Sequence, residues 1–210
     1  MTKSLIIVSG CNAAGKSTFI RSRISQFENY CIIMPDVYKS GTYSKFQDAI
    51  DRNENIVLEN ILRDDEVFLM LKKAKKQKYT ITLFQLFIKP PSFSMERVSF
   101  WSINENGSNI DKFAVQMNFE TNFKNVANAY YLFDNAYFLH TGTINENQLI
   151  VKFENGILVE YYNNELSWIQ YFSDYVISIG KNLDNFERIK HNKDFNSKSV
   201  SNSSLPKNNS

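Results

Sequence analysis

Short, continuous apolar runs alternate along this chain with longer stretches in which apolar residues recur every three or four positions. That alternation predicts buried parallel strands separated by amphipathic helices. Leu5–Ser9 reads as the first strand, followed by a helix over Lys16–Phe27. Tyr30–Met34 is the next strand, ended by Pro35, and residues 44–52 form a short helix before a third strand at Ile56–Glu59. Asp64–Lys78 is a strongly marked helix. Asp64, Asp65 and Glu66 crowd its first turn, lysines fill its last two, and Val67, Phe68, Leu71 and Ala74 make an apolar stripe.

Thr80–Ile88 is the fourth strand. A helix opens at Pro90-Pro91 and runs to about residue 103, and a polar segment separates it from a long helix over Asp111–Ala129. Ala136–Thr141 is a fifth strand. Leu149–Phe153 and Ile157–Tyr162, joined through Glu154-Asn155-Gly156, predict a β-hairpin, because Asn-Gly suits the tight mirror-image turn. An amphipathic helix over Glu165–Ile179 closes the pattern, and residues 191–210 lack the apolar content to fold. The expected fold is therefore a single three-layer α/β/α domain over residues 1–190. Its core, 4–141, is a mainly parallel five-stranded sheet, with the hairpin and helix of 148–180 added at the C-terminal end.

Composition narrows this picture slightly. Hydrophobic residues make up 43% of the 210 positions, enough for one ordinary core. The net charge is +2, but residues 181–210 hold six basic and three acidic side chains, so the preceding body has 18 against 19. A body so close to neutral argues against nucleic-acid binding. The lysines at 72, 73, 75, 76 and 78 then read as a solvated helix face. Two cysteines, Cys11 and Cys31, suit a reducing compartment. The first residues are too weakly apolar for a signal peptide, and no run approaches a membrane span. A cytoplasmic location without membrane contact is expected.

The chemistry concentrates in Gly10-Cys11-Asn12-Ala13-Ala14-Gly15-Lys16-Ser17-Thr18. This fits G-x-x-x-x-G-K-[ST], and it falls between a predicted buried strand and a helix, the context that gives such a match its meaning. Inward backbone N–H groups would surround the phosphates of ATP, Lys16 would reach the outer phosphates, and Ser17 would offer a hydroxyl to Mg²⁺. Cys11 reads as a small residue filling a variable loop position. In an open α/β sheet the partner groups lie beyond the carboxyl ends of the strands. Asp36 and Glu59 both fall there, each able to accept a proton from an attacking hydroxyl or to help hold Mg²⁺. His140, with no metal-binding neighbour in sequence, reads as structural.

These features together resemble the zeta-toxin group of P-loop kinases over residues 4–140. The resemblance rests on the phosphate loop with Phe19 after it, on Met34-Pro35-Asp36 and on Glu59-Asn60-Ile61-Leu62. It rests also on the helix leading into Lys78-Tyr79-Thr80-Ile81, on Ser94-Met95-Glu96-Arg97-Val98 and on Phe133-Asp134-Asn135-Ala136. It implies an ATP- and Mg²⁺-dependent kinase acting on a hydroxyl of a small molecule, UDP-N-acetylglucosamine in the family. By the same resemblance Asp36 is the general base, Glu59, Asn60 and Arg97 contact the acceptor, and an antitoxin-like protein is a partner.

The chain departs from the family in its arginines. An expected second arginine falls near Trp101, a Gly-Gly-His segment is replaced by Glu105-Asn106-Gly107-Ser108, and an Arg-Arg-Tyr run reads Met117-Asn118-Phe119. An arginine on the transferring phosphate is worth roughly 10³–10⁵ in rate. Four readings stay open: a weak kinase, a kinase using Lys112 or Lys124 instead, a nucleoside or nucleotide kinase relative, and a degenerate kinase that binds nucleotide and acts through protein contacts.

Overall fold

The computed structural model describes residues 3–63, 65–88, 111–141 and 147–161. A seven-stranded sheet forms the centre: β1 (Ser4–Ser9), β2 (Tyr30–Ile33), β3 (Asn55–Asn60), β4 (Thr80–Phe87), β5 (Asn135–His140), β6 (Gln148–Glu154) and β7 (Ile157–Tyr161). Their order across the sheet is β2-β3-β1-β4-β5-β6-β7. The first five are parallel and the last two antiparallel. The expected three-layer architecture is present. The hairpin, expected as an addition to the sheet, in fact continues it: β6 pairs along β5, with a register shift at Phe138/Leu139.

The helices are α1 (Lys16–Arg21), α2 (Pro35–Tyr38), α3 (Thr42–Asp51), α4 (Asp65–Lys76) and α5 (Lys112–Ala129). The continuous apolar runs build two cores, because successive strand residues face opposite sides. Ile6, Val8, Val57, Phe84 and Leu86 pack with Phe19, Ile20 and Phe27 on one face. Leu5, Ile7, Leu58, Ile81 and Leu83 pack with residues of α3, α4 and α5 on the other.

Two local expectations change. The helix expected over Lys16–Phe27 ends at Arg21, and a 3-10 turn covers Ile24–Phe27. Arg23 sits between them, its guanidinium donating to the carbonyl of Phe19 and lying 3.9 Å from that ring's centre. Pro35 ends β2 as expected but also opens α2, since its fixed φ and missing N–H suit a first helical position. The lysines of α4 are largely exposed, and Lys73 and Lys75 pair with Asp51 and Asp134. His140 is buried beside Phe87. The helices expected near 90–103 and 165–179, and the tail from 191, lie outside the described residues.

Candidate functional site

The parallel order brings the C-terminal ends of β1, β2 and β3 to one rim, where the loop Gly10–Thr18 leaves β1. Gly10 is required by space: a Cβ there would stand 2.4 Å from the backbone oxygen of Leu86 and 3.0 Å from the Ala14 Cβ. Ala13 and Gly15 both take positive φ, 57° and 89°, which curls the chain into a closed loop. The amide of Ala14 reaches the Cys11 carbonyl at 3.3 Å. From behind, the buried Thr141 hydroxyl donates to the Ala14 carbonyl at 2.8 Å. Cys11 and Ala14 are themselves buried, so the loop is anchored to the core as well as draped over it.

Lys16, Ser17 and Glu59 meet here. The Lys16 ammonium donates to the Cys11 carbonyl at 3.0 Å and lies 4.0 Å from Glu59 Oε1. The Ser17 hydroxyl is 3.1 and 3.0 Å from the two Glu59 carboxylate oxygens. Both charged groups are buried, at 9% and 6% exposure. Burial therefore pushes the Lys16 ammonium below its ordinary range, against the pull of Glu59, the Cys11 side chain and Asp36. Burial likewise raises Glu59, opposed by Lys16 and the Ser17 hydrogen bond and reinforced by Asp36. In each group burial is the largest influence, and it disfavours the charged form.

Asp36 lies in the first turn of α2, where a carboxylate favours the helix dipole, and its side chain is exposed. It is close enough to act electrostatically on both Lys16 and Glu59. Asn60 is occupied locally: its Oδ1 accepts the Leu62 amide at 2.5 Å and stabilises a turn in which Leu62 has φ 54°. Thr18 is exposed on α1. Arg97 lies outside the described residues, as do Trp101 and the side chain of Lys112. Asp134 belongs to the opposite rim, where its carboxylate accepts the Ile81 amide at 2.7 Å.

Sequence reasoning overlooked a row of asparagines on α5. Asn118, Asn122 and Asn125 are spaced to share one helix face. Asn118 Nδ2 donates to Oδ1 of Asn12 in the phosphate loop at 2.8 Å, and its Oδ1 accepts from Arg63 at 3.4 Å. Asn122 Nδ2 donates to the Ser9 hydroxyl at 3.1 Å and to the Ile61 carbonyl at 2.5 Å, while its Oδ1 accepts from Gln85 at 2.8 Å. Asn125 donates to the carbonyls of Leu62 and Arg63 at 2.8 and 3.1 Å. The signal was available, since buried polar residues at helical spacing need partners. Phe113, near the start of the same helix, is exposed.

No family model matches the sequence, and no curated protein matches it. Solved structures do. A chain of the AvrRxo1-ORF1:-ORF2 complex superposes with a TM-score of 0.55 at 14% identity, covering 85% of this chain and 71% of that one. The same pair crystallised with ATP gives 0.53 at 14% identity, covering 82% and 64%. A chain of the Pnkp1/Rnl/Hen1 RNA repair complex gives 0.51 at 15% identity, over 59% and 45%. At these identities the likeness is one of fold. A chain of the PezAT toxin–antitoxin system of Streptococcus pneumoniae also overlaps, at 0.49 and 16% identity, over 85% and 87%. The three-layer fold expected from the motifs is shared with the structures that superpose at 0.51 to 0.55. Among the described residues no helix is long and apolar enough to cross a membrane.

Proposed function

We propose that this chain is an ATP-dependent phosphotransferase that moves the γ-phosphate of ATP to a hydroxyl of a small molecule. The observation that carries the reading is the meeting of Lys16, Ser17 and Glu59 at the mouth of a G-x-x-x-x-G-K-[ST] loop. The ATP in one structural relative supports a nucleotide as the ligand.

The loop's amides and Lys16 would receive the phosphates, and the Lys16 ammonium would then exchange the Cys11 carbonyl for a phosphate oxygen. The donors beside it, one hydroxyl and one carboxylate, are hard oxygen ligands that suit Mg²⁺, which commonly keeps several waters and leans on substrate phosphates. No group of three or more metal-binding side chains occurs among the described residues, which that mode does not need. When bound, the ion would neutralise charge on the β- and γ-phosphates. Glu59, in contact with Ser17, is better placed to orient the ion's water shell than to hold an acceptor. Asp36, exposed beside this pair, would take the proton from the acceptor hydroxyl. Asn60 would shape the turn that carries the acceptor-side loop, and Arg97 would add an acceptor contact.

The acceptor proposed from the family resemblance is a nucleotide-sugar, UDP-N-acetylglucosamine in type. A protein partner of antitoxin kind is proposed alongside it, since one relative of this fold was crystallised as a two-protein complex. A second reading, a nucleotide-binding module without turnover, is favoured by one observation: Asn118 stands where the resemblance places an arginine.

ATP consumption with a panel of nucleotide-sugars, nucleosides and a 5′-hydroxyl RNA separates these readings. In the kinase reading Lys16→Ala abolishes nucleotide binding. Asp36→Asn keeps that binding and lowers turnover by about 10²–10⁴-fold. Lys16-dependent ATP binding with no acceptor-stimulated consumption defeats the kinase and leaves the module.

A further inference from the structure

The loop after β3 is held in an unusually complete way. Asn122 and Asn125 take the carbonyls of Ile61, Leu62 and Arg63, and Asn60 takes the Leu62 amide. The Arg63 backbone is therefore anchored, while its side chain reaches outward and is exposed. A side chain of that length has many rotamers unless something orients its planar fork. What meets it is Asn118, which is 7% exposed and uses both ends of its amide: the oxygen for Arg63, the nitrogen for Asn12. One amide thus spans two loops, one bearing the phosphate motif and the other bearing an arginine.

We infer that Asn118 is a positioning residue that fixes the Arg63 guanidinium at the rim of the phosphate loop, so that this arginine contributes to binding a polyphosphate only while the Asn12–Asn118–Arg63 link is intact. The inference rests on the nucleotide reading of the loop and deepens it. At the point where α5 meets the phosphate loop the helix presents an asparagine, and that asparagine borrows an arginine from the neighbouring loop. The direction of the bonds fits the role. The Asn118 oxygen is committed to the cation and its N–H₂ to the loop, so a shift of Asn12 when phosphate fills the loop is transmitted to Arg63 through a single rigid group.

The test is a double-mutant cycle read by calorimetric titration of Mg·ATP into the full chain. Arg63→Ala and Asn118→Ala are each expected to weaken binding about three- to tenfold, as for loss of a hydrogen bond or charge contact. The double variant should bind no more weakly than the weaker single variant. A merely structural Asn118 would lower affinity and thermal stability yet leave the Arg63 effect at its wild-type size. The link can also be cut without touching the buried position. In Asn12→Ala, the penalty for adding Arg63→Ala should shrink toward none.

Losses that multiply in both cycles overturn the inference, as does an Arg63→Ala variant that binds Mg·ATP like wild type. Those outcomes, with wild-type binding that Lys16→Ala abolishes, leave the nucleotide reading standing and refute this one alone. A wild-type chain that binds no Mg·ATP refutes both.

Discussion

Neutralising the buried pair at the phosphate loop, with Lys16→Met and Glu59→Gln together, should make the ligand-free protein more stable. Their charges lie 4.0 Å apart, an attraction of about 4 kcal/mol at an effective dielectric near 20. Against it stands the cost of burying two ions, several kcal/mol for each. In both groups burial is the largest influence on the protonation equilibrium, and it favours the neutral form. The pair is therefore a net cost. Met fills the space of the lysine stem, and Gln can still accept the Ser17 hydroxyl, so about 1–2 kcal/mol of gain at pH 7 is expected.

The pH dependence carries the sharper test. Glu59 titrates above its ordinary 4.5 in the folded state, so wild-type stability falls as pH rises from 4.5 through that raised value. Lys16 titrates below its ordinary 10.5, so stability rises again between its lowered value and 10.5. Wild type thus has a trough between the raised Glu59 value and the lowered Lys16 value that the double variant lacks. Urea denaturation followed by far-ultraviolet circular dichroism from pH 4 to 10 should show the gap widest between those two values and narrowing toward both ends, as each end relieves one of the two groups. Mg·ATP at a hundred times its Kd should restore about 2.7 kcal/mol to wild type and nothing to the variant. A variant less stable than wild type at pH 7, or a gap that ignores pH, would refute the reasoning.

Two further predictions concern the frame around the pair. Gly10→Ala drives a Cβ to 2.4 Å from the Leu86 backbone oxygen, which no side-chain rotation relieves; a loss of about 1–3 kcal/mol in denaturation and a collapse of Mg·ATP affinity are expected. Asn122→Leu leaves Ser9, Gln85 and the Ile61 carbonyl without their shared partner; denaturation should show a loss of about 3 kcal/mol.

Much of this arrangement was legible in the residues. The β1 run, the phosphate motif and the marked helix α4 each depend on neighbours a few positions apart, and the structure has them nearly where the periodicity predicts. The short helix α2 was missed because its four residues are too few for a period, leaving only Pro35 as a signal. The hairpin was legible as a hairpin, but not the edge on which it pairs, since an Asn-Gly turn says nothing about the next strand over.

The site divides along the same line. Its local chemistry, a closed loop with a lysine and a hydroxyl at its end, was determined by the sequence itself, because Gly10, Gly15 and the flanking strand act over a few residues. Which groups face that loop was decided only by the tertiary structure. Ser17 meets a carboxylate 42 positions away, Asn118 reaches an arginine 55 positions back, and it touches the loop across 106. Such pairs exist because β3 lies beside β1 and α5 packs over their C-terminal ends. Strand order and helix docking follow from how two apolar faces are buried at once, a condition on the whole chain that no local pattern contains.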